Sequence, residues 1–482
     1  MSIASAINTT KSILSNTATQ TATVSTNTSN TNTEDYNRRT AVTTTNPYSG
    51  ATTVKLERTE DAALLKQTLS AIADDAGQQA LLKGLVSLDA VMGGNESSAT
   101  PSQYLAALVE ALDTYATSPS DVTLAAAAVA AAGDVANSLN QQTSAVQGLR
   151  IEADSEISTT VDKLNQLLKD FEKVNDKVKE KIARGEDAND ALDTRESLVK
   201  QISGIVGVTS TVRAGNDMVL YTSDGITLFE TVPRAVTFDA SAALDANTDG
   251  NPIYIDGVAL APGKGSSTSA NGSLQSLLQL RDEVYPGYQD QLDEIARVTI
   301  STFAETDGVG DKVAGLFTTT DGSTVDFDTA NIVPGLAGLI TVASQAQTDP
   351  TKLRNGNISA SSVNQNTENA SGFSELLYSY LAGFEQTVSF DGDAGTTTRA
   401  TLLAYSTDSV GWVQEYRSNA SSAAESTSAM QMRAKEAYAN ATGVNLDEEL
   451  ILLLDIEQSY KAATKLLSTI DEMLSALMQA AS

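Results

Sequence analysis

Between residues 122 and 178, apolar side chains recur every three or four positions along one helical line: Val122, Ala125, Val129, Ala132, Ala136, Leu139, Val146, Ala153, Ile157, Leu164, Leu167, Phe171, Val174 and Val178. Thr143, Arg150 and Thr160 interrupt this line, and none of them shifts its register. A stripe held in phase for so long specifies one helix, because several short helices would each reset the phase. The pattern predicts a single rod over 121–183, roughly 95 Å long at a rise of ~1.5 Å per residue, and stopped at Gly185. Such a rod belongs to an elongated, multi-domain chain that is mainly α.

Both ends of the chain carry stripes of their own. Leu453, Ile456, Tyr460, Ala463, Leu467, Ile470, Leu474 and Leu477 step alternately by three and four residues, the seam of a coiled coil. A weaker stripe runs through Ile3, Ile7, Thr10, Leu14, Thr17, Thr21, Val24 and Thr28. The Ser, Thr and Asn residues around it are poor helix formers, so this helix is expected to order only in an assembly. The two terminal helices are read as a coiled-coil-like pair that finds further partners in neighbouring molecules. Asn445 is placed to cap the C-terminal helix, and Asp447, Glu448 and Glu449 put negative charge on its first turn, where the helix dipole favours it.

Composition narrows the function. The 482 residues are 41% apolar, enough for several cores. Lysine and arginine number 31 against 61 aspartates and glutamates, a formal charge of −30 that opposes nucleic acid and anionic lipid as partners. The chain has neither cysteine nor histidine, which removes disulfides, thiolate chemistry, Cys/His zinc sites and imidazole catalysis. No catalytic, cofactor or metal site is expected, and the chain is read as a non-enzyme. No basic segment followed by a continuous apolar one opens the sequence, so no cleavable signal is expected. The longest apolar run, 124–132, is too short to span a bilayer, so no membrane insertion is expected.

The rest of the chain divides by period. Residues 1–45 form the N-terminal helix and loop that pair with 443–482, and 34–58 read as loop or extended chain. Residues 46–206 form a long-helix rod domain with helices at 61–91, 102–117 and 189–206. The period then changes at 208–212, 218–222 and 226–232, with turn residues Ala214-Gly215-Asn216-Asp217 and Ser223-Asp224-Gly225 between the runs. Together with 236–238 and 253–258 they make a β-rich insert over 207–272. Return helices occupy 273–350, where the pattern over 274–303 is expected to break at Pro286. A variable region at 351–397 contains a short helix near 373–384, and 398–442 is a rod-domain helix with Trp412, Val410 and Val413 as core residues. Asp245, Asn247, Asp249 and Gly250, with Asp256 twelfth, have the spacing of a calcium loop. Pro252 and the missing terminal Glu depart from that pattern, and an Asx-rich turn is the reading.

Three segments carry a resemblance. Asn27-Thr28-Ser29-Asn30-Thr31-Asn32-Thr33-Glu34-Asp35-Tyr36-Asn37-Arg38 resembles the axial-protein signature of bacterial flagella, Asn-Ile-Ala-Asn-x-Asn-Thr-Pro-Gly-Tyr-x-Arg. It agrees at Asn27, Asn30, Asn32, Thr33, Tyr36 and Arg38, and departs at Thr28, Ser29, Glu34 and Asp35, losing the Pro-Gly turn. Gly443-Val444-Asn445-Leu446-Asp447-Glu448-Glu449, Gln458-Ser459-Tyr460-Lys461-Ala462 and Thr469-Ile470-Asp471-Glu472-Met473-Leu474 are similar to the C-terminus of the same proteins. In the centre, Asn189-Asp190-Ala191-Leu192-Asp193-Thr194-Arg195-Glu196, Ile205-Val206-Gly207-Val208 and Gly272-Ser273-Leu274 through Pro286 resemble the flagellar hook-associated protein 1 family, the hook–filament junction proteins.

The resemblance implies a structural adaptor of the bacterial flagellum that joins hook to filament. It implies an extracellular location, reached unfolded through the flagellar type III channel without a cleavable signal peptide. Implied partners are the hook protein, the second hook-associated junction protein, a ring of copies of itself, and a cytoplasmic export chaperone on the C-terminal helix. The assembly interface would use Ile3, Ile7, Leu14, Val24, Asn27, Asn30, Tyr36, Arg38, Asn445, Leu446, Leu453, Ile456, Tyr460, Leu467, Ile470, Leu474 and Leu477. The alternatives are another flagellar axial subunit, of hook or filament, and an acidic extracellular adhesin whose binding site lies in the β-rich insert.

Overall fold

The computed structural model describes the backbone of residues 3–45, 52–94, 100–323, 325–327 and 329–481, with side chains of residues 6–44, 54–94, 100–323, 325–327 and 329–480. In chain order it begins with α1 (Ile3–Ser29), β1 (Arg39–Thr45), β2 (Thr52–Arg58), α2 (Ala62–Val91), α3 (Pro101–Thr117), α4 (Val122–Arg184) and α5 (Asn189–Ile205). Strands β3 (Val208–Val212), β4 (Met218–Thr222), β5 (Thr227–Phe229), β6 (Val236–Thr237), β7 (Tyr254–Ile255) and β8 (Val258–Ala259) follow. Next come α6 (Ser273–Gln279), α7 (Tyr285–Thr302), β9 (Glu305–Thr306), β10 (Lys312–Val313), β11 (Phe317–Thr319), α8 (Leu336–Leu339), β12 (Ile340–Val342), α9 (Ser344–Thr348) and α10 (Lys352–Asn355). The chain ends with α11 (Glu375–Glu385), β13 (Val388–Ser389), β14 (Arg399–Ala400), α12 (Leu402–Thr442) and α13 (Leu446–Ala481). The architecture is mainly α with small β elements, as the sequence predicts. Two compact units share it: 1–75, 164–235 and 427–482 make the first, and 76–163 with 236–426 the second.

The predicted rod is α4, one unbroken helix of 63 residues. Gly185 takes a left-handed conformation (φ 70°), and the Glu186 N–H donates back to the Lys181 carbonyl at 2.9 Å, closing the helix as the glycine foretold. Among the described residues α4 is the one helix long and apolar enough, by length and composition, to cross a membrane. Its alanine-rich start nevertheless buries Ala125, Ala128, Val129, Ala132, Val135, Ala136 and Leu139 in the second unit, and it is core. In the first unit the short Gly185 connection brings α5 back so that Val178 clusters with Ala188, Ala191 and Leu192.

Four expectations are revised. The stretch 34–58 is extended, but its strands pair as an antiparallel hairpin, Arg39 opposite Arg58 and Thr45 opposite Thr52. The helix at 274–303 does not break at Pro286. One π turn over Leu280–Val284 precedes the proline, with the Tyr285 N–H reaching back five residues to the Leu280 carbonyl. Proline donates no hydrogen bond and crowds the carbonyl four residues before it, and the wider turn accommodates both demands without ending the helix. The β-rich insert is not one body: β3-β4-β5 belong to the first unit and β6-β7-β8 to the second. Trp412 and Val410 are half-buried, and Val413 beside them is the buried residue.

In the second unit the polar residues of α7 are buried. Asp293 accepts from the Ala337 N–H (2.8 Å), the Gly335 N–H (2.8 Å) and Gln289 Nε2 (3.0 Å). Glu294 pairs with Arg297 at 2.6 Å, and Arg297 donates to the carbonyls of Thr329 and Ser389. The helix thus holds loops by their backbone polar groups, which would otherwise be buried without partners. The candidate calcium loop is fastened in the same way. Arg150 donates to the carbonyls of Asp245 (2.6 Å) and Thr248 (2.7 Å), and Arg281 to that of Asn251 (2.8 Å), while Asp245 accepts from the Asn247 N–H at 2.9 Å in an Asx turn. Three of the loop carbonyl oxygens are thereby committed to guanidinium groups, and Asp256 lies apart in the β7–β8 turn with φ 51°.

Candidate functional site

The residues that carry the sequence signature meet in the first unit, at the junction between the end of α1 and the start of α13. Asn27 is 1% exposed. Its Oδ1 accepts from the Tyr36 hydroxyl (2.7 Å) and the Arg39 N–H (3.1 Å), and its Nδ2 donates to the Arg39 carbonyl (2.8 Å) and to Glu449 Oε1 (3.1 Å). No aliphatic residue could satisfy those groups, and an unpaired buried polar group is costly. Burial pushes the Tyr36 hydroxyl up to about 12, so it stays a donor. Arg38 Nε donates to Glu449 Oε1 and its Nη1 to Glu448 Oε2, both at 2.7 Å, while its N–H binds the Thr442 carbonyl at 2.8 Å. Glu448 lies in solvent, whereas Glu449 is 1% exposed and its Oε2 has no hydrogen-bond partner among the described residues.

The turn that lacks Pro-Gly closes through the Tyr36 N–H to the Thr33 carbonyl at 3.1 Å. Neither Glu34 nor Asp35 has positive φ, so the turn needs no glycine. Asp35 is instead anchored to α5, accepting from Ser197 Oγ (2.6 Å) and Lys200 Nζ (3.1 Å).

The central motif completes the junction. Asp190, Asp193 and Glu196 stand three residues apart on one face of α5. Arg39 pairs with Asp190 and Asp193, and Arg58 with Asp193 at 2.6 Å and with Glu196. Glu196 also pairs with Lys200 at 3.0 Å, and Asn37 donates to the Tyr438 hydroxyl at 3.1 Å. Burial alone would raise the Glu196 carboxyl, but Arg58 and Lys200 hold it below the ordinary carboxylate range. Arg195 staples the β3–β4 turn, donating to Asn175 Oδ1 (2.9 Å) and to the Asn216 carbonyl (2.6 Å). Burial, helped by the nearby Arg58 charge, lowers it to about 10 against the pull of Glu60, Asp217 and Glu196. Sequence reasoning read Asn27, Tyr36 and Arg38 as assembly-interface residues, whereas here they bond within the chain, and it missed Arg39, Arg58 and the acidic face of α5. The spacing of that face was the available signal.

From this junction α1 and α13 run along each other, and because the end of one meets the start of the other they are antiparallel. On α1, Thr10, Thr17 and Val24 are buried, Ile7 and Leu14 half-buried, and Thr21 and Thr28 exposed; the Ile3 side chain lies outside the described ones. Thr10 and Thr21 hydroxyls fold back onto carbonyls four residues earlier, at 2.9 and 2.8 Å. Their polar atoms are thus satisfied within the helix, and the methyl groups remain for packing. On α13, Ile456, Ala463 and Ile470 are buried at steps of seven. Leu474 is half-buried, while Leu446, Leu453, Tyr460, Leu467 and Leu477 are between 39% and 59% exposed. Leu450, Ile451, Leu454, Leu466, Met473 and Met478 add to the exposed apolar surface. Asn445 caps α13 through Oδ1, accepting from the Asp447 N–H at 3.0 Å, and Asn30 makes only local bonds to Thr26 and Thr33. Among the described residues no three carboxylates converge to hold a metal.

The family model "Flagellar hook-associated protein FlgK helical domain" matches residues 85–319, and "Flagellar basal body rod FlgEFG protein C-terminal" matches residues 435–480. The solved flagellar hook junction protein FlgK from Burkholderia pseudomallei is similar at 20% identity and a TM-score of 0.43, over 53% of this chain and 46% of that one. This chain therefore spans less than half the length of that protein. No curated protein matches.

Proposed function

Because the chain belongs to the FlgK-like flagellar hook-associated proteins, we propose that it is a structural adaptor of the bacterial flagellum that joins the hook to the filament. The observation that carries this reading is α13. One line of it, Ile456, Ala463 and Ile470, is closed by α1, and Leu453, Tyr460 and Leu467 lie open on the line beside it. A contiguous apolar surface on an exposed helix is unfavourable in water and marks a docking face. In this reading the face is covered in the assembled flagellum by neighbouring copies, by the hook protein below and by the second hook-associated protein above. Before export the same face is covered by a cytoplasmic chaperone. The chain then acts outside the cell, having passed the flagellar export channel without a cleavable signal.

A strain lacking this chain tests the proposal. The adaptor role expects complete hooks, no filaments and flagellin shed into the medium. Intact filaments on that strain would reject it. A second reading, that the chain is a hook or rod subunit, draws on the match of 435–480 to the basal body rod family. It expects the same strain to lack hooks as well.

A further inference from the structure

Where the axial signature has Pro-Gly, a pair that fixes a turn by backbone preference alone, this chain has Glu34-Asp35. The turn closes through the Tyr36 N–H to the Thr33 carbonyl, in a stretch where Thr33 and Glu34 are exposed. The residues after it are nevertheless closely aimed, Tyr36 and the Arg39 N–H at Asn27, and Arg38 at Glu449 and the Thr442 carbonyl. Their partners along α5 follow one order. Asp35 meets Ser197 (2.6 Å) and Lys200 (3.1 Å), Asn37 meets Glu196 (3.5 Å), and Arg39 meets Asp193 (3.2 Å) and Asp190. Residues 35–39 thus run antiparallel to α5, with an acid set on a cation at one end and a cation set on two acids at the other.

We propose that Asp35 is a positioning residue, which sets the register of residues 35–39 along α5 by its charge and through that register holds Arg38 on Glu449. Arg39 does not fix the register by itself, because Asp190, Asp193 and Glu196 offer it a row of acids at equal steps. Lys200 ends that row with a cation, so Asp35 has one favourable place. Slid one turn towards the start of α5, the segment would set Asp35 against Asp193 and Glu196. Slid one turn towards its end, it would draw Arg39 off Asp190 and Asp193. Reversed in direction, it would oppose acid to acid and cation to cation. Glu34 adds little, since its ion pair with Lys435 is 3.9 Å long and its own side chain is 86% exposed. Asp35 and Lys200 are better shielded, at 38% and 17%. The device stands whatever covers the open line of α13.

Hydrogen exchange of the Arg38 and Arg39 amides in the full chain is the test, since these N–H groups bond to Thr442 and Asn27 only in the correct register. Asp35→Ala is expected to speed their exchange about 5- to 10-fold, while the amides of β3 and β4 keep their protection. Asp35→Lys, which sets like charge against Lys200, should speed it about twofold or more beyond Asp35→Ala. In a Lys200→Met background the alanine and lysine variants should exchange alike; the comparison is made within that background because Lys200 also pairs with Glu196. Should Asp35→Ala loosen β3 and β4 as well, Asp35→Asn, which keeps an acceptor for Ser197 and drops the charge, replaces it in both backgrounds. Unchanged exchange in Asp35→Ala would show that the turn holds its register unaided and would overturn the proposal. It is equally overturned if Asp35→Lys is no worse than Asp35→Ala, since the contact is then not read by charge, or if the two still differ once Lys200 is gone, since Lys200 is then not the reader.

Discussion

Replacing Arg38 by methionine tests whether the junction is a buried-charge device. The substitution keeps most of the apolar stem and removes the guanidinium, leaving Glu449 buried with the Asn27 amide as its remaining donor. Removing one member of a fully buried pair costs roughly 3–5 kcal/mol, because the other charge is stranded. Arg38 is 25% exposed and its second pair, with Glu448, is solvated and worth under ~1 kcal/mol. The expected loss is therefore about 2–3 kcal/mol, localised to the first unit. The reverse change, Glu449→Gln, strands no buried charge, since Arg38 keeps Glu448 and water, and should cost about 1 kcal/mol. The decisive quantity is the double variant, which should be more stable than Arg38→Met alone, with a coupling of about 1–2 kcal/mol. Trp412 lies in the second unit and its fluorescence does not report on the first. Hydrogen exchange of amides in 446–456 and along α1 does, and Arg38→Met should speed it about 30- to 150-fold. If Glu449→Gln instead deepens the loss, the carboxylate carries no buried-charge penalty and the reasoning fails.

Three further outcomes follow from the same geometry. Deleting 443–482 should remove the helical signal of the 36-residue α13 and also that of the 27-residue α1, whose poor formers lose their partner; circular dichroism that falls by α13 alone would contradict the pairing. Burial pushes the Asp293 carboxyl up to about 7, so the stability it lends is complete below the unfolded value near 4 and is lost as pH rises through 7. Between pH 5 and 8 this amounts to about 2.5 kcal/mol that Asp293→Asn should abolish in urea titrations; an equal pH slope in both proteins would mean that its three N–H donors keep it ionised throughout. Gly84→Ala, ordinarily favourable by about 1 kcal/mol within a helix, should destabilise the second unit by about 1–3 kcal/mol, because the new Cβ falls on the Leu280 methyl groups and beside the Tyr285 hydroxyl; an unchanged or raised melting temperature would show that Leu280 has room to move.

What could be read in the sequence was what neighbours along the chain decide. The length of α4, its end at Gly185 and the Asn445 cap are set within a few residues, and each is present where the pattern placed it. The β1–β2 hairpin was read only as extended chain, because its Thr-rich strands alternate weakly. The helix through Pro286 was read as broken because proline usually ends a helix, and the π turn that admits it has no pattern of its own. The polar residues of α7 look like a solvated face, and their partners, from Thr329 to Ser389, lie 32 to 92 residues further along the chain. The arginine pairs of the junction span still longer separations, 135 to 411 residues.

The seam of α13 shows where local pattern stops and distant charge decides. Its alternating steps of three and four comprise two lines at steps of seven: Leu446, Leu453, Tyr460, Leu467 and Leu474 on one, and Ile456, Ala463, Ile470 and Leu477 on the other. Both lines are apolar, they lie about 60° apart around the helix, and hydrophobicity alone does not say which of them α1 will cover. Extended back by one step, the second line begins at Glu449. Arg38 and Asn27, placed by the turn at the end of α1, bind that carboxylate and rotate α13 so that Ile456, Ala463 and Ile470 follow it inward. A charge that looks like ordinary helix-dipole decoration thus selects the internal line, and by doing so turns Leu453, Tyr460 and Leu467 towards whatever molecule stands alongside.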